Sequence, residues 1–312
     1  MSKPNPYEPF FAYARERYRI FLRRERELEP LGDEGKWTTD PILQQYRFCN
    51  VFREDDKVTR WIREHVHHAG YGDRVLQALI IARWFNRIET LEKLLPPEDC
   101  KEPYFYHNML FIWNSKIVRK RLKEHHPLVT GAYMVKTPPR MNKLEGLIWC
   151  IEHVVGERGM SGVVPWACKH KAKSLLKNGG TLQETTEWLQ RFPYLGSFMA
   201  YEVVTDLRHT PLLENAPDIM TWASPGPGAA RGLGRLIFNN PKHFNYHRKR
   251  DAAEMQTWMR VLLTNSQNGL LWPVEWPSWE MREVEHTLCE FDKYERARLG
   301  EGKPKQRFNG GA

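Results

Sequence analysis

Apolar side chains recur along this chain three and four residues apart far more often than they alternate, which predicts helices rather than strands. Between residues 7 and 29, Phe11, Ala14, Tyr18, Phe21 and Leu22 fall on one face of an amphipathic helix. Pro30 and the Gly-Asp-Glu-Gly-Lys run after it close that helix. Thr39 and Asp40 ahead of Pro41 form a start signal, a capping side chain followed by proline in the first turn. The helix so begun is expected to carry Ile42, Leu43, Tyr46 and Phe48. The charged cluster 53–56 is expected to open the next, through Val58, Trp61, Ile62 and Val66. Further helices are predicted over about 73–95, 104–124, 142–156, 166–178, 181–190, 197–208, 243–264 and 278–299. The best strand signal, residues 129–135, reads equally as a short strand or a buried loop. The pattern therefore predicts an all-α fold, a single helical domain over 1–300 that the prolines of 137–140 can divide into two lobes. Residues 301–312, rich in Gly and Lys, read as a flexible tail.

Composition narrows the picture. Of 312 residues, 41 % are apolar and 12 % aromatic, a globular balance. Lys and Arg number 47 against 38 Asp and Glu, a net charge of +9 that favours a polyanionic partner, nucleic acid before membrane. The twelve Trp suit either a core or base stacking. Cys49, Cys100, Cys150, Cys168 and Cys289 form no CxxC pair, which argues for a reducing compartment and against zinc or iron–sulfur spacing. His65, His67, His68, His125 and His126 lack a convincing ligand pattern, so no metal is expected. With no long apolar run and no apolar leader, a cytoplasmic protein without membrane contact is expected.

Three stretches carry candidate chemistry. Residues 189–200 read as helix, then Phe192-Pro193-Tyr194-Leu195-Gly196, then Ser197 and a second helix. Gly196 is expected to take a positive φ and Ser197 to cap, aiming free amides at a DNA phosphate; an ordinary αα-hairpin is the alternative. Asp218, 22 residues after Gly196, is placed to act as a base or to cap a helix over 219–223. Glu202, on the second helix among apolar neighbours, is a buried base or one half of a structural ion pair. In residues 224–233, Gly226 and Gly228 flank Pro227 ahead of a helix, and Arg231 follows one turn in; this suits a phosphate or a rigid turn. Arg47, Asn50 and Glu54 share a face if the helix from Pro41 continues, fit for a base edge, a small zwitterion or plain solvation. The P-loop pattern GxxxxGK[ST] does not occur.

Four blocks, WTTDPILQQYRFCNVFREDD (37–56), HPLVTGAYMV (126–135), FPYLGSFMAYEVVTDLRHTPLL (192–213) and APDIMTWASPGPGAARGL (216–233), together resemble the α-glutamyl/putrescinyl thymine pyrophosphorylase-like clade of tailed bacteriophages. The resemblance implies a diverged helix-hairpin-helix glycosylase-like fold. It also implies an amino acid:DNA transferase acting on 5-hydroxymethyluracil already phosphorylated in DNA by a separate kinase, shielding the genome from host restriction. Glycine is the donor it first suggests, and no organic cofactor is implied. Asp218 is carried over by motif order and approximate spacing. The chemistry then calls for Asp218 or Glu202 as base and Arg47 or Arg53 on the amino acid's carboxylate. Trp222 or Tyr46 would stack on a flipped base, and residues 226–231 would face the leaving phosphate. A glycosylase for modified thymine and a non-catalytic DNA-binding module are the competing readings.

Overall fold

The structure, a computed structural model, describes residues 5–25, 27–29, 31, 37–67, 72–96, 108–131, 135–156, 165–304, 306 and 307, with the backbone alone at 165 and 166. Thirteen α-helices run through the described residues, and no strand is found among them; an antiparallel bridge joins Tyr46 to Arg307. The all-α expectation holds. Of the strand-or-loop segment, residues 128–131 and 135 are irregular, and 132–134 lie outside the described residues. No helix of the described residues is long and apolar enough to cross a membrane.

The chain forms two compact units, Met1–Asp56 with Ile219–Ala312, and Lys57–Asp218. Residues 137–140 lie inside the second unit, and the crossings fall at 56/57 and 218/219.

The first unit opens with α1 (Glu8–Arg24) and α2 (Pro41–Gln45). The second holds α3 (Lys57–Ile62), continued by a π-turn over Arg63–His67, then α4 (Gly72–Phe85), α5 (Ile88–Glu92) and α6 (Ser115–Leu122). It is completed by α7 (Lys143–Val155), α8 (Pro165–Asn178), α9 (Leu182–Leu189) and α10 (Ser197–Leu207). The chain then returns to the first unit with α11 (Pro227–Phe238), α12 (Lys249–Ser266) and α13 (Met281–Arg298).

In the second unit α4 is central, because nearly every residue from Val75 to Phe85 is apolar and buried. A helix apolar all round must be enclosed, and α7, α8 and α10 pack around it. Its one buried charge, Arg83, meets Asp206 of α10 in a bidentate pair, Nε–Oδ2 and Nη2–Oδ1 both 2.6 Å. Thr59 and Asn86 accept two more of its N–H groups at 3.0 Å.

In the first unit α1, α13 and the segment 272–279 between α12 and α13 form an aromatic core. Phe10 lies 5.8 Å from both Trp279 and Phe291, and Trp272 lies 5.1 Å from Trp279 and 5.5 Å from Tyr18. Trp272 and Trp279 are buried, so these indoles are core side chains and not stacking platforms. Helices α11 and α13 approach almost to backbone contact. A Cβ on Gly232 would lie 2.2 Å from the Leu288 carbonyl oxygen, and one on Gly228 2.2 Å from Cys289 Sγ.

Candidate functional site

The segment after Pro41 departs from the expected long helix. Helix α2 starts as predicted, with Asp40 Oδ1 accepting from the amides of Ile42 (2.8 Å) and Leu43 (3.0 Å). It ends at Gln45, since Tyr46 is extended (φ −119°, ψ 151°) and the Arg47 amide donates to the Gln306 carbonyl at 3.1 Å. Tyr46, Phe48, Val51 and Phe52 are all buried. No single helix face can bury that spacing, while an extended chain turns Tyr46 and Phe48 inward together. The shared face of Arg47, Asn50 and Glu54 therefore does not form. Arg47 is exposed and Tyr46 is buried.

The other residues of this block are tied into the first unit. Arg53 is buried in the 3-10 turn 53–55. Glu54 receives both Nη groups of Arg282, the Nη1 contact at 2.6 Å. Burial opposes the charge on Arg282, yet Glu283 and Glu54 hold its guanidinium protonated far above the ordinary range. Asn50 Oδ1 accepts from Arg17 Nη2, and its Nδ2 donates to the Asp55 carbonyl at 2.9 Å.

These ties frame a small cleft between α1, the extended segment and α13, lined by Arg17, Tyr13, Cys49, Asn50, Thr287 and Glu290 with Val51 and His286. Three buried donors there, Tyr13 OH, Arg17 Nη1 and Thr287 Oγ1, have no hydrogen-bond partner among the described residues. Unpartnered buried donors are costly, and three at one cleft point to an acceptor-rich guest. Glu290 supplies the opposite charge. Burial raises its pKa, but Lys293, His286 and the bonds from Lys293 and the Cys49 amide more than offset this, so it is lowered overall. Both bonds are 2.9 Å. The cleft is closed in this conformation, so side chains must part before a ligand enters. Ligand atoms of Cys49, Asp56 and His286 lie within 4.8 Å of one another, a set able to take a divalent ion. The Cys49 thiol is pushed well up, by burial first and then by Glu290 and Asp56, so it stays protonated near neutrality. Of this cleft, sequence reading found Asn50; Tyr13, Arg17, Thr287, His286 and Glu290 carry no motif and are brought together by folding alone.

In the second unit the expected hairpin is present, with different backbone detail. Helix α9 and helix α10 pack together across residues 190–196. Tyr194 takes the positive φ (+64°), while Gly196 is extended (φ −68°, ψ 175°) and is itself the N-cap. Ser197 is the first helical residue and not the cap. The buried Leu195 anchors the turn, which leaves residues 196–198 exposed with no side-chain cap over their amides. Glu202 is buried on α10 between the buried Tyr201 and Val203.

Asp218 closes the back of this hairpin. Its Oδ1 accepts from the Leu182 amide (2.8 Å) and its Oδ2 from the Gln183 amide (3.0 Å), while Thr181 Oγ1 takes the Glu184 amide (2.9 Å). It thus caps α9, and the helix expected over 219–223 is a turn. Both Asp218 oxygens are engaged by an arrangement that also places negative charge at a helix N-terminus.

The phosphate site expected at Gly226 and Gly228 is already filled. The Gly226 amide donates to Glu285 Oε1 at 3.2 Å, so a carboxylate of α13 stands where the phosphate was expected. Gly228 serves the close approach of α11 and α13 instead. Arg231 Nε pairs with Asp292 Oδ2 at 2.8 Å, and Arg235 and Arg296 join the same buried carboxylate at 2.9 and 3.2 Å. Trp222, half-buried, lies in the same unit beside Ala223, whose amide and carbonyl both bond to Gln256.

Comparison with known proteins places this architecture. The profile of a family described as "5-hmdU DNA kinase, helical domain" matches residues 5–304. The chain belongs to that helical-domain family. A curated relative, the "5-hmdU DNA kinase" of Bacillus phage SP10, is 26 % identical over 249 residues, covering 73 % of this chain and 35 % of the relative. This member of the helical-domain family therefore spans about a third of the length of the relative it matches. No solved structure gives a significant match.

Proposed function

We propose that this protein acts in the hypermodification of 5-hydroxymethyldeoxyuridine in phage DNA, as the transferase that replaces a phosphate on the C5 methylene with an amino acid. The observation that carries this reading is the family match over residues 5–304. A helical domain of a 5-hmdU DNA kinase family fits a step on the same modified base. A separate kinase would supply the phosphorylated base.

The first unit's cleft supports an amino acid as the second substrate. Arg17, Tyr13 and Thr287 offer unpartnered donors to a carboxylate, and Glu290 offers a negative partner to an ammonium group. The second unit's hairpin supports contact with DNA, through the uncapped amides around Gly196 and Ser197. In the transfer, the amine nitrogen forms a bond to the C5 methylene carbon. The carbon–oxygen bond to phosphate breaks, phosphate leaves with the bonding pair, and a carboxylate accepts the amine proton. Glu290 lines the cleft where that amine would sit; Glu202 and Asp218, the bases expected from sequence, belong to the second unit and are given no part in this cleft.

DNA containing 5-phosphomethyldeoxyuridine, incubated with the protein and mixed amino acids and then digested to nucleosides, tests this by mass. A nucleoside carrying an amino acid in place of phosphate, lost in Arg17→Met, is the expected result. Abasic DNA with a free base would replace this reading with a glycosylase. The family name favours one other reading, a non-catalytic helical domain that presents 5-hmdU DNA to a kinase. Unchanged substrate together with stimulation of a 5-hmdU DNA kinase would establish that instead.

A further inference from the structure

The loop after α11 and the start of α12 carry charge of one sign only. Residues 239–250 contain Lys242, Arg248, Lys249 and Arg250 and no acid, so they hold four of the positive charges behind a net of +9. All four side chains are exposed, and none makes an ion pair among the described residues. Other cations of the same unit behave differently: Arg231, Arg235, Arg282, Arg296 and Arg298 each meet a carboxylate. The nearest acids in sequence, Asp251 and Glu254, leave the four unpaired; Asp251 Oδ2 accepts from the Asn245 amide at 2.8 Å.

The backbone beneath these cations is pre-organised. Asn239 ends α11 in a left-handed conformation (φ +50°). Asn240 Oδ1 takes the Lys242 amide at 2.9 Å, and Asn245 Oδ1 takes the His247 amide at 3.1 Å. Flat rings stand among the charges: Phe238, partly exposed, stacks on His243 at 3.6 Å and 5°, and Tyr246 lies 4.0 Å from His247. Arg248, Lys249 and Arg250 also crowd the first turn of α12, where the helix dipole disfavours cations. The sequence maintains this patch at an electrostatic cost, and a polyanion would relieve it.

We propose that residues 242–250 form a contact surface for the sugar–phosphate backbone of duplex DNA. The proposal rests on the reading that DNA is the substrate, and adds where the first unit grips it. Four unpaired cations on a fixed loop match a row of phosphates, with the exposed rings lying against sugars.

Anisotropy of a short labelled duplex, titrated with the full chain across a salt series, tests the surface. Lys242→Ala/Arg248→Ala/Lys249→Ala/Arg250→Ala removes up to four phosphate contacts. The slope of log affinity against log salt should then shrink by about 3–4, and low-salt affinity should fall roughly tenfold or more. An unchanged thermal melt shows that the fold is intact, and Arg248→Glu alone should move both readouts the same way. Tight, salt-dependent wild-type binding that the fourfold variant retains overturns this surface and leaves DNA as substrate. Wild-type binding to anionic vesicles or RNA but not to the duplex overturns both the surface and the DNA reading.

Discussion

Single side chains hold each unit to one packing. Arg83 and Asp206 are both buried, so removing one leaves the other as an uncompensated charge away from water. Asp206→Ala should lower stability by about 3–5 kcal/mol, read as a drop in the denaturant midpoint with little change in slope. Glu290 makes a pH-dependent contribution. Its folded pKa lies below the ordinary 4.5, so the unfolded chain binds the proton more tightly. The stability it confers is complete above the ordinary value and fades as pH falls through the lower folded one. Glu290→Gln should flatten the acid side of the stability-versus-pH curve; a curve of unchanged shape would show that the Lys293 and Cys49 contacts do not set the titration. The same residue scale shows where sequence reading stops. Asp40 as a cap and Glu202 as buried were legible from local context. Asp218 reads locally as a cap for 219–223, which is a turn; the helix it does cap lies 36 positions upstream, a pairing that no local window contains.

At the scale of elements, periodicity located nearly all the helices, because most have one buried stripe of their own, while α4 and α10 are buried nearly all round. It failed over 46–52, where buried aromatics stand too close together for a helix face, and there the chain is extended. The glycines of α11 were read as phosphate binders because the sequence cannot show which helix will lie against them. Their partner is α13. Gly232→Ala gains helix propensity of up to about 1 kcal/mol but drives a methyl into the Leu288 carbonyl. The helices must separate, at a cost of about 1–3 kcal/mol or more. Calorimetry should show a lower melting temperature for this variant; a higher one would mean that the two helices separate at little cost.

At the scale of the whole molecule, composition suggests a class of partner and leaves the site open. A surplus of cations suggested a polyanion, and the structure pairs Arg231 and Arg235 with Asp292 while the four cations of 242–250 make no ion pair among the described residues. The twelve Trp left core and stacking open, and Trp272 and Trp279 are core. Neither the unpartnered donors of the cleft nor their meeting with α13 was visible in any stretch of sequence, since α1 and α13 lie at opposite ends of the chain.

That separation has a bearing on synthesis. Residues 57–218 form one uninterrupted unit, whereas the other unit joins 1–56 to 219–312. On the ribosome, α1 and its buried Phe10 and Phe11 must wait for the final helix, while the intervening unit can close its core as it emerges. Ordering the early segment late keeps apolar surface exposed during translation, a demand on chaperones that rises whenever elongation stalls past residue 218. Pulse-labelled hydrogen exchange during refolding should find amides of α4 and α10 protected before those of α1 and α13; the reverse order would mean that the discontinuous unit nucleates first.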